Sequence, residues 1–274
     1  MSDRFIDSDY LRYQYGDPDR LHIRQESHRL YSERPNGQFF AWVVSHIAPQ
    51  PGQVLVDIGC GPGTYHPLLA LHDVHIVALD RSLGMVQESR RQAEQQRLPV
   101  AVLQADAQAL PLREVTCDRV LAAHMLYHVP DQLAALREMR RVLRPGGRVV
   151  IVTIAGGASS ASRLRQVHAE AAAELGYTPE GGPARFTLDH LALVQEVFPT
   201  AERHVFVNAF LFPTAEAALA YYASSVVDGI RDHPADGSHR ARLLPLVEAR
   251  LRAIIEKEGL FRDAKDNGCF VAHV

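Results

Sequence analysis

The stretch VLVDIGCGPGTY, residues 54–65, decides how this chain folds. Val54–Ile58 is a short apolar run, which is typical of a strand buried on both faces of a sheet. The run ends at Gly59, Gly61 and Gly63, which can take positive φ angles and let a ligand lie against the backbone. The segment predicts a strand that turns into a helix at a ligand-binding turn. Glycines that serve only the geometry of a tight turn are the alternative interpretation.

The spacing of these glycines distinguishes between ligands. A dinucleotide fingerprint reads GxGxxG, whereas here the third glycine comes one residue early and Thr64 takes its place. Asp57 lies two positions before the first glycine, where a negative charge would oppose a pyrophosphate. A cationic ligand with sulfonium and ammonium groups suits that position. The spacing therefore disfavours a nicotinamide oxidoreductase, which remains an alternative.

Helices and strands alternate outward from this turn, beginning at Gly37. The predicted strands are 54–58, 75–79, 100–103, 119–123 and 148–154, and the predicted helices are 39–47, 64–71, 83–96 and 131–143. Such alternation predicts a parallel sheet with right-handed crossovers and helices on both faces. Ligands bind such a sheet at the carboxyl ends of its strands.

The last third of the chain has a different pattern. It contains two predicted strands, 204–212 and 268–274, and predicted helices at 162–175, from Thr187, at 214–225 and at 238–258. An antiparallel pair with a helical insert fits this segment. A further helix is predicted at residues 20–32, with Arg24, His28 and Tyr31 on one face.

Five landmarks in order resemble the class I S-adenosylmethionine (SAM)-dependent methyltransferases, in particular the broad group that acts on small molecules and carries a type-11-like domain. The first is the motif (D/E)xGxGxG, which Asp57, Gly59, Gly61 and Gly63 match position by position. The others are the segments ALDRS (78–82), LQADAQALPL (103–112), CDRVLAAHMLYHVPD (117–131) and LRPGGRVVIV (143–152). The resemblance covers residues 37–155.

The resemblance implies an α/β fold, a three-layer Rossmann-like sheet of seven strands in the order 3-2-1-4-5-7-6 with the last antiparallel. With it we expect a cap or lid helix at 1–36, a SAM-binding core at 37–155, and a part at 156–274 that completes the sheet. A helical cap insert is expected at about 214–263 of that last part. The implied cofactor is SAM, and its product is S-adenosyl-L-homocysteine.

The same resemblance assigns residues to the cofactor. The glycine turn supports the methionine part, Asp80 accepts hydrogen bonds from the ribose hydroxyls, and Asp106 with Ala107 lies beside the adenine. Met85 packs on the adenine face. The remaining residues expected at the cofactor are Cys60, Arg81, Ala123, Tyr15 and Arg24. Without the other landmarks, Asp80 would be interpreted as a helix cap and Asp106 as a turn residue.

Methyl transfer requires an acceptor aligned in line with the S–CH₃ bond, and a base only where the acceptor must lose a proton. The candidate catalytic residues are His124, Tyr127 and His28. His124 lies nearest the tip of the fourth strand, and its alternative role is to fix a loop. His124 and His128 have metal-pair spacing, but no third ligand is in register, so no metal is expected.

The acceptor is expected to be a small aromatic or alkaloid-like metabolite, because its pocket is expected between the amino-terminal segment and the insert, with an aromatic character given by Phe186, Phe212, Tyr221 and Tyr222. Tyr13 and Tyr15 are expected to close over the sulfonium. A DNA amino-methyltransferase would carry an (N/D/S)PP(Y/F/W) element where this chain has residues 123–126, AHML. A non-catalytic SAM-binding protein remains an alternative.

Composition limits the other classes. The chain has 274 residues, a net charge of −3 and three widely spaced cysteines. We expect a cytoplasmic bacterial protein with reduced thiols, since no CxxC pair or leader is apparent and arginine greatly exceeds lysine. The slightly negative charge disfavours nucleic-acid partners. No apolar run approaches the ~20 residues that span a bilayer, so no membrane association is expected.

Overall fold

The computed structural model describes residues 18–156, 162–180, 185–232, 234 and 236–274. The chain divides into two compact units. One, which we name the sheet unit, comprises residues 37–156, 184–206 and 267–274. The other, the helical unit, comprises residues 1–36, 157–183 and 207–266. The three consecutive parts expected from the sequence stay a prediction.

A seven-stranded sheet forms the centre of the sheet unit, and the predicted fold class is confirmed. Its strands are β1 (Val54–Ile58), β2 (His75–Asp80), β3 (Val100–Gln104), β4 (Cys117–Ala123), β5 (Leu143–Ile154), β6 (Glu202–Phe206) and β9 (Asn267–His273). They lie in the order β3-β2-β1-β4-β5-β9-β6. β1 to β5 pair in parallel, and β9 is antiparallel to both β5 and β6. The strand that was predicted to be the seventh along the chain is β9, because β7 and β8 form a separate two-stranded sheet.

Alternate residues of the central strands point to opposite faces of the sheet, and each face is covered. On one face Val56 and Val120 belong to a core with Leu136 and Met139 of the helix that follows β4. On the other face Leu55 belongs to a second core, which includes α2. The helices of this unit are α2 (Asn36–Ile47), α3 (His66–Ala70), α4 (Leu83–Gln95), α5 (Gln132–Val142) and α7 (Leu191–Gln195). Burial on both faces explains the continuous apolar runs of these strands.

The helical unit has its own core. Its elements are α1 (Pro18–Tyr31), α6 (Arg163–Glu174), α8 (Ala215–Ser225), α9 (Ser238–Glu258) and the short antiparallel strands β7 (Ala209–Phe212) and β8 (Phe261–Ala264). Ser162 and Thr214 accept backbone N–H groups at the starts of α6 and α8. These caps satisfy donors that a helix leaves unpaired. The core joins Leu164, Phe212 and Leu243 from three of these elements.

One sequence prediction is wrong: residues 204–212 do not form a single strand. The chain instead forms β6, which pairs with β9 in the large sheet, and β7, which pairs with β8. The break lies at Asn208, whose N–H donates to the Asp266 carboxylate at 2.8 Å instead of to a neighbouring strand. The side chain of Asn208 is buried and also bonds the backbone of Arg34. These hydrogen bonds interrupt the pairing of the strand, although the apolar residues of 204–212 still alternate in the sequence.

Candidate cofactor-binding and active site

The backbone of the turn after β1 depends on its glycines. Gly59, Gly61 and Gly63 have φ angles of 70°, 54° and 85°. The N–H groups of Gly59 and Cys60 both donate to the carbonyl of Leu79, at 2.7 and 3.0 Å, so the turn is fixed to the end of β2. A Cβ on Gly59 would lie 2.6 Å from Cβ of Met125, whereas a Cβ on Gly61 would meet no atom within 4 Å. The turn is thus packed at its first glycine and borders open space at its second.

A buried acid–histidine pair lies beneath this turn. The Oδ2 atom of Asp57 lies 3.1 Å from Nε2 of His66, and both side chains are 2% exposed. A Cβ on Gly63 would approach Nδ1 of His66 to 2.4 Å, so this glycine makes room for the imidazole. The sequence analysis missed His66. Its signal was a histidine nine residues after the acid, in the first turn of the following helix.

The second oxygen of Asp57 is an unusual group. Oδ1 is buried and has no hydrogen-bond partner among the described residues. A buried, unpaired carboxylate oxygen costs free energy, and in native proteins most such atoms have a partner. The open space at Gly61 and the unsatisfied oxygen at Asp57 fit a ligand that carries positive charge, as the methionine part of SAM does.

Asp80, at the end of β2, fixes the turn from the other side. One carboxylate oxygen accepts the N–H of Gly61 at 2.9 Å, and the other accepts the N–H of Ser82 at 2.8 Å. Each carboxylate oxygen can accept a second hydrogen bond. Arg81 and Met85 are exposed beside it, Met85 by 39%. Asp80 therefore combines a structural role with free acceptor capacity.

Asp106 follows β3. Its carboxylate accepts the backbone N–H of Gln108 at 2.9 Å and the side-chain amide of Gln108 at 3.0 and 3.2 Å. These hydrogen bonds, together with the nearby charge of Arg81, lower the pKa of the Asp106 carboxyl although partial burial opposes them. Ala107 is buried next to it. An ionised acceptor therefore stands at the carboxyl end of β3, where the resemblance puts the adenine amine.

Cys60 and Ala123 border the same edge of the sheet. Cys60 is buried in the turn, and burial, followed by the charges of Asp57 and Asp80, raises the pKa of its thiol. The Cys60 thiol is therefore a packing group and not a nucleophile. Ala123 is the last residue of β4 and is half-buried.

His124 follows β4 in a strained conformation. Its φ is 54°, in the left-handed region, and its N–H donates to the carbonyl of Val152 at 2.9 Å. The half-buried ring lies 6.1 Å from the ring of Phe39. Burial lowers the pKa of His124 to about 4. The imidazole is therefore neutral near pH 7. Backbone strain of this kind is often found at functional sites.

Tyr127 and His128 lie in the short 3₁₀ turn Leu126–His128 that follows. Their rings are in edge contact, with centroids 4.5 Å apart. Within the described residues no group of three or more His, Cys, Asp or Glu side chains could hold a metal ion.

The other predicted site residues belong to the helical unit. Arg24 lies 3.5 Å from the carbonyl of Ser224, and His28 contacts Phe210, Tyr221 and Lys265. Tyr13 and Tyr15 lie outside the described residues. The roles of Arg24, His28 and Tyr15 toward the cofactor or the acceptor stay predictions. Lys265 is a second residue that the sequence analysis missed, because only the fold brings it to His28.

Known proteins match the central part of the chain. A family model described as "Methyltransferase domain" matches residues 56–151. An O-methyltransferase of Pyrenophora dematioidea is 34% identical over 115 residues, which are 41% of this chain and 43% of that protein. A demethylmenaquinone methyltransferase of Renibacterium salmoninarum is 36% identical over 118 residues, 42% of this chain and 48% of that protein. The chain thus spans less than half the length of these curated relatives.

A solved structure shares the fold over most of its length. A putative methyltransferase from Bacillus halodurans superposes with a TM-score of 0.58 and 18% sequence identity, covering 86% of this chain and 99% of that chain. None of the described helices is long and apolar enough to cross a membrane. The family match at residues 56–151 includes the glycine turn and strands β2 to β4, and over these residues the chain therefore carries a methyltransferase domain of the class I SAM-dependent family.

Proposed function

We propose that this protein is a SAM-dependent methyltransferase that acts on a small-molecule acceptor, an aromatic or alkaloid-like metabolite of secondary metabolism. The observation that carries the proposal is the pairing of open space at Gly61 with the buried, unsatisfied Oδ1 of Asp57. A cofactor that is positively charged and held against the backbone suits both features. The buried free cysteines Cys60, Cys117 and Cys269 are compatible with a cytoplasmic bacterial protein, which we also propose.

The residues around the turn would hold the cofactor by complementary groups. Asp57 supplies negative charge toward the methionine part, Asp80 offers its remaining acceptor capacity to the ribose hydroxyls, and Asp106 accepts from the adenine amine. Met85, which is exposed, covers the adenine face. When bound, SAM supplies a methyl group already activated by positive sulfur. Alignment and exclusion of water are therefore the main tasks left to the protein.

His124 is proposed to orient the acceptor. A base is most effective when its pKa lies near the working pH. With a pKa of about 4, the imidazole of His124 accepts a hydrogen bond well but takes up a proton poorly. We therefore propose that its ring nitrogen holds the acceptor's nucleophilic group, and that a proton, where one must leave, passes to Tyr127 or water.

The relatives support the class of acceptor. One carries the name O-methyltransferase and another the name demethylmenaquinone methyltransferase. Both names are compatible with transfer to a small molecule. Aromatic side chains also cluster within the helical unit, where the rings of Phe210 and Tyr221 are 4.6 Å apart and those of Phe210 and Phe212 are 5.2 Å apart. Phe210 and Phe212 are buried core residues, and an acceptor with a ring stays a proposal drawn from the aromatic residues of the sequence.

The substitution Gly61→Ala tests the proposed cofactor site. Its Cβ would project into open space and block a ligand that lies against the backbone. Because φ is positive, alanine also strains the turn, which costs about 1–2 kcal/mol. We expect folded protein with SAM affinity weakened by at least about 100-fold, measured by calorimetric titration with SAM and S-adenosylhomocysteine.

Gly146→Ala is the matched control. Gly146 has a φ of 77° and open space around the position of an added Cβ, but it lies near the start of β5, away from the proposed site. This variant should lose similar stability and keep full affinity for SAM. Unaltered SAM affinity in Gly61→Ala, or heat with NAD⁺ and none with SAM in the unsubstituted protein, would contradict the proposal. SAM binding without methyl transfer to any small molecule would favour a non-catalytic binding protein.

A further inference from the structure

His66 is a buried polar residue beneath the glycine turn to which the cofactor assignment gives no role. It is the first residue of α3, and its side chain is 2% exposed. Its Nε2 atom lies 3.1 Å from Oδ2 of Asp57. An ionised carboxylate only accepts hydrogen bonds, so Nε2 carries the proton of this hydrogen bond. The imidazole therefore satisfies one carboxylate oxygen of Asp57 and leaves the other.

The strands on either side of β1 offer Asp57 no further partner. The residues directly opposite it are Ala78 on β2 and Leu121 on β4, and both are apolar and fully buried. The hydroxyl of Tyr65 is buried as well and, like Oδ1 of Asp57, has no hydrogen-bond partner among the described residues. Within the described part of the chain no arginine or lysine pairs with Asp57. Oδ1 therefore remains available to a ligand.

The negative charge of Asp57 acts on its neighbours. Burial, followed by the charge of Asp57, raises the pKa of the Cys60 thiol and also that of the Tyr65 phenol. The charge of Asp80 adds to the effect at Cys60. Opposite charges attract more strongly where water is excluded. A positively charged group brought to Oδ1 would therefore be bound by a carboxylate whose charge the surrounding side chains do not neutralise.

The turn holds the imidazole in place. The N–H of His66 donates to the carbonyl of Gly63 at 3.0 Å. A Cβ on Gly63 would lie 2.4 Å from Nδ1 and 2.8 Å from Cε1 of the His66 ring. The backbone and the ring of His66 thus both lie against Gly63. Because the ring is held there, its hydrogen bond to Oδ2 restricts the rotation of the Asp57 carboxylate and the direction in which Oδ1 points.

We propose that His66 is a positioning residue that directs Oδ1 of Asp57 at the ammonium group in the methionine part of the cofactor. By holding Oδ2, it prevents the carboxylate from turning and leaves Oδ1 to accept from the ammonium. A group that is held in place before its ligand arrives loses little entropy on binding. The pair therefore selects sulfur nucleosides that carry an amino group. This inference rests on the proposed function, because it takes the cofactor to bind at the glycine turn.

Two ligands that differ in one group measure this selection. S-adenosylhomocysteine carries the ammonium, and its deaminated analogue, the thioether of 5′-deoxyadenosine with 4-mercaptobutyrate, lacks it. Calorimetric titration gives the dissociation constant of each, and the ratio of the two constants measures the contribution of the ammonium. A charge-assisted hydrogen bond predicts about 10- to 100-fold tighter binding of S-adenosylhomocysteine by the unsubstituted protein. A misfolded fraction lowers the number of sites without changing this ratio.

Substitutions of His66 should change the ratio according to their ability to donate. His66→Leu keeps an apolar side chain in place of the ring and removes the donor, so the ratio should fall below about 3. His66→Gln keeps an N–H donor, and the ratio should recover to at least about 10. His46→Leu is the matched control, because the half-buried His46 ring contacts His204 on the edge strand β6, with centroids 4.5 Å apart. This control should keep the ratio of the unsubstituted protein.

Asp57→Asn tests whether His66 acts through the carboxylate. The amide removes the negative charge, so this substitution alone should lower the ratio below about 3. Two changes within one interaction are not additive. Adding His66→Leu to Asp57→Asn should therefore leave the ratio where Asp57→Asn put it. A further change of the ratio in the double variant would show that His66 does not act through Asp57, which would overturn the inference.

Three other results would overturn it: an unchanged ratio in His66→Leu, a ratio in His66→Gln as low as in His66→Leu, or equal binding of the two ligands by the unsubstituted protein. In each of these cases S-adenosylhomocysteine still binds to the unsubstituted protein, so the inference fails and the proposed function stands. If the unsubstituted protein binds neither S-adenosylhomocysteine nor its analogue, the proposed function fails together with the inference.

Discussion

The glycine turn and the lysine cluster are built in opposite ways. The glycine turn takes all its parts, Asp57, the three glycines, His66 and Asp80, from 24 consecutive positions, 57–80. The lysine cluster is the group of contacting side chains His28, Ser32, Phe210, Tyr221 and Lys265, and it takes its parts from positions 28 to 265. The first is fixed by backbone geometry that leaves a signature in the sequence. The second exists only after the helical unit has packed. In this protein the group proposed to hold the methyl donor is local in sequence, and the lysine cluster is not.

The two regions also differ in the charge that they present. The turn buries a carboxylate with one unsatisfied oxygen, and the cluster half-buries an ammonium between a histidine and an aromatic ring. A buried carboxylate selects positive ligands, and a desolvated ammonium selects negative ones. The two regions therefore bury groups of opposite charge.

The largest change in stability is expected from His66→Ala, which tests whether the glycine turn depends on its buried acid–histidine pair. His66 is the described partner of a carboxylate that is 2% exposed, and removing one member of a buried pair costs about 3–5 kcal/mol. We expect that loss in the free energy of unfolding by urea. His72→Ala is the control, because His72 is exposed in the turn after the same short helix and its substitution should have an effect below ~0.5 kcal/mol. Equal stability of the two variants would mean that the pair does not support the turn.

The sequence predicted the turn well because its constraints are local. Positive φ at Gly59, Gly61 and Gly63 and an acid at position 57 are all visible in twelve residues, and the alternation of apolar runs predicted the parallel strands. The antiparallel last strand also followed from the pattern at residues 268–274. Each of these elements was predicted from a single local feature, either the periodicity of its apolar residues or a backbone angle that favours glycine.

Tertiary contacts account for what the sequence did not predict. His66 faces Asp57 because the helix begins at residue 66 and Gly63 leaves room for its ring. Asn208 divides the predicted strand because its hydrogen-bond partners, Arg34 and Asp266, are 174 and 58 residues away. Lys265 reaches His28 across 237 positions. The pairings of Asn208 and Lys265 have no periodicity or motif by which sequence alone could have found them.

A smaller effect, on SAM affinity, is expected from substitution of Asp80, which would show whether the glycine turn also holds the ribose. Asp80 accepts the N–H groups of Gly61 and Ser82, and in the proposed complex it also accepts from the ribose. Asp80→Ala should weaken SAM binding by about 1–3 kcal/mol in calorimetry and also loosen the turn. Asp118→Ala is the control, because Asp118 likewise accepts a backbone N–H, that of Val54 at 2.8 Å, at the opposite end of β1. An Asp80→Ala variant with full SAM affinity would show that the ribose lies elsewhere.

The smallest effects are expected from pH, beginning with His124 in the sheet unit. Burial lowers the pKa of His124 from 6.5 to about 4 in the folded protein. The unfolded chain therefore binds more protons between these values, so stability falls as the pH drops from 6.5 toward 4. The expected loss is about 1–3 kcal/mol. His124→Asn, which does not titrate and tolerates the left-handed backbone, should remove this part of the pH dependence in urea unfolding. An identical slope in both proteins would show that His124 is solvated.

Lys265 gives the matching effect in the helical unit, in a different pH window. Burial lowers the pKa of Lys265 from 10.5 to about 8, so the folded protein releases this proton first and stability due to this group rises as the pH increases from 8 toward 10.5. Because the side chain is only half-buried, we expect about 1 kcal/mol after screening by solvent. The difference in free energy of unfolding between the unsubstituted protein and Lys265→Met, followed over this window, measures it. The absence of this slope would contradict the desolvated ammonium on which the charge contrast between the two regions depends.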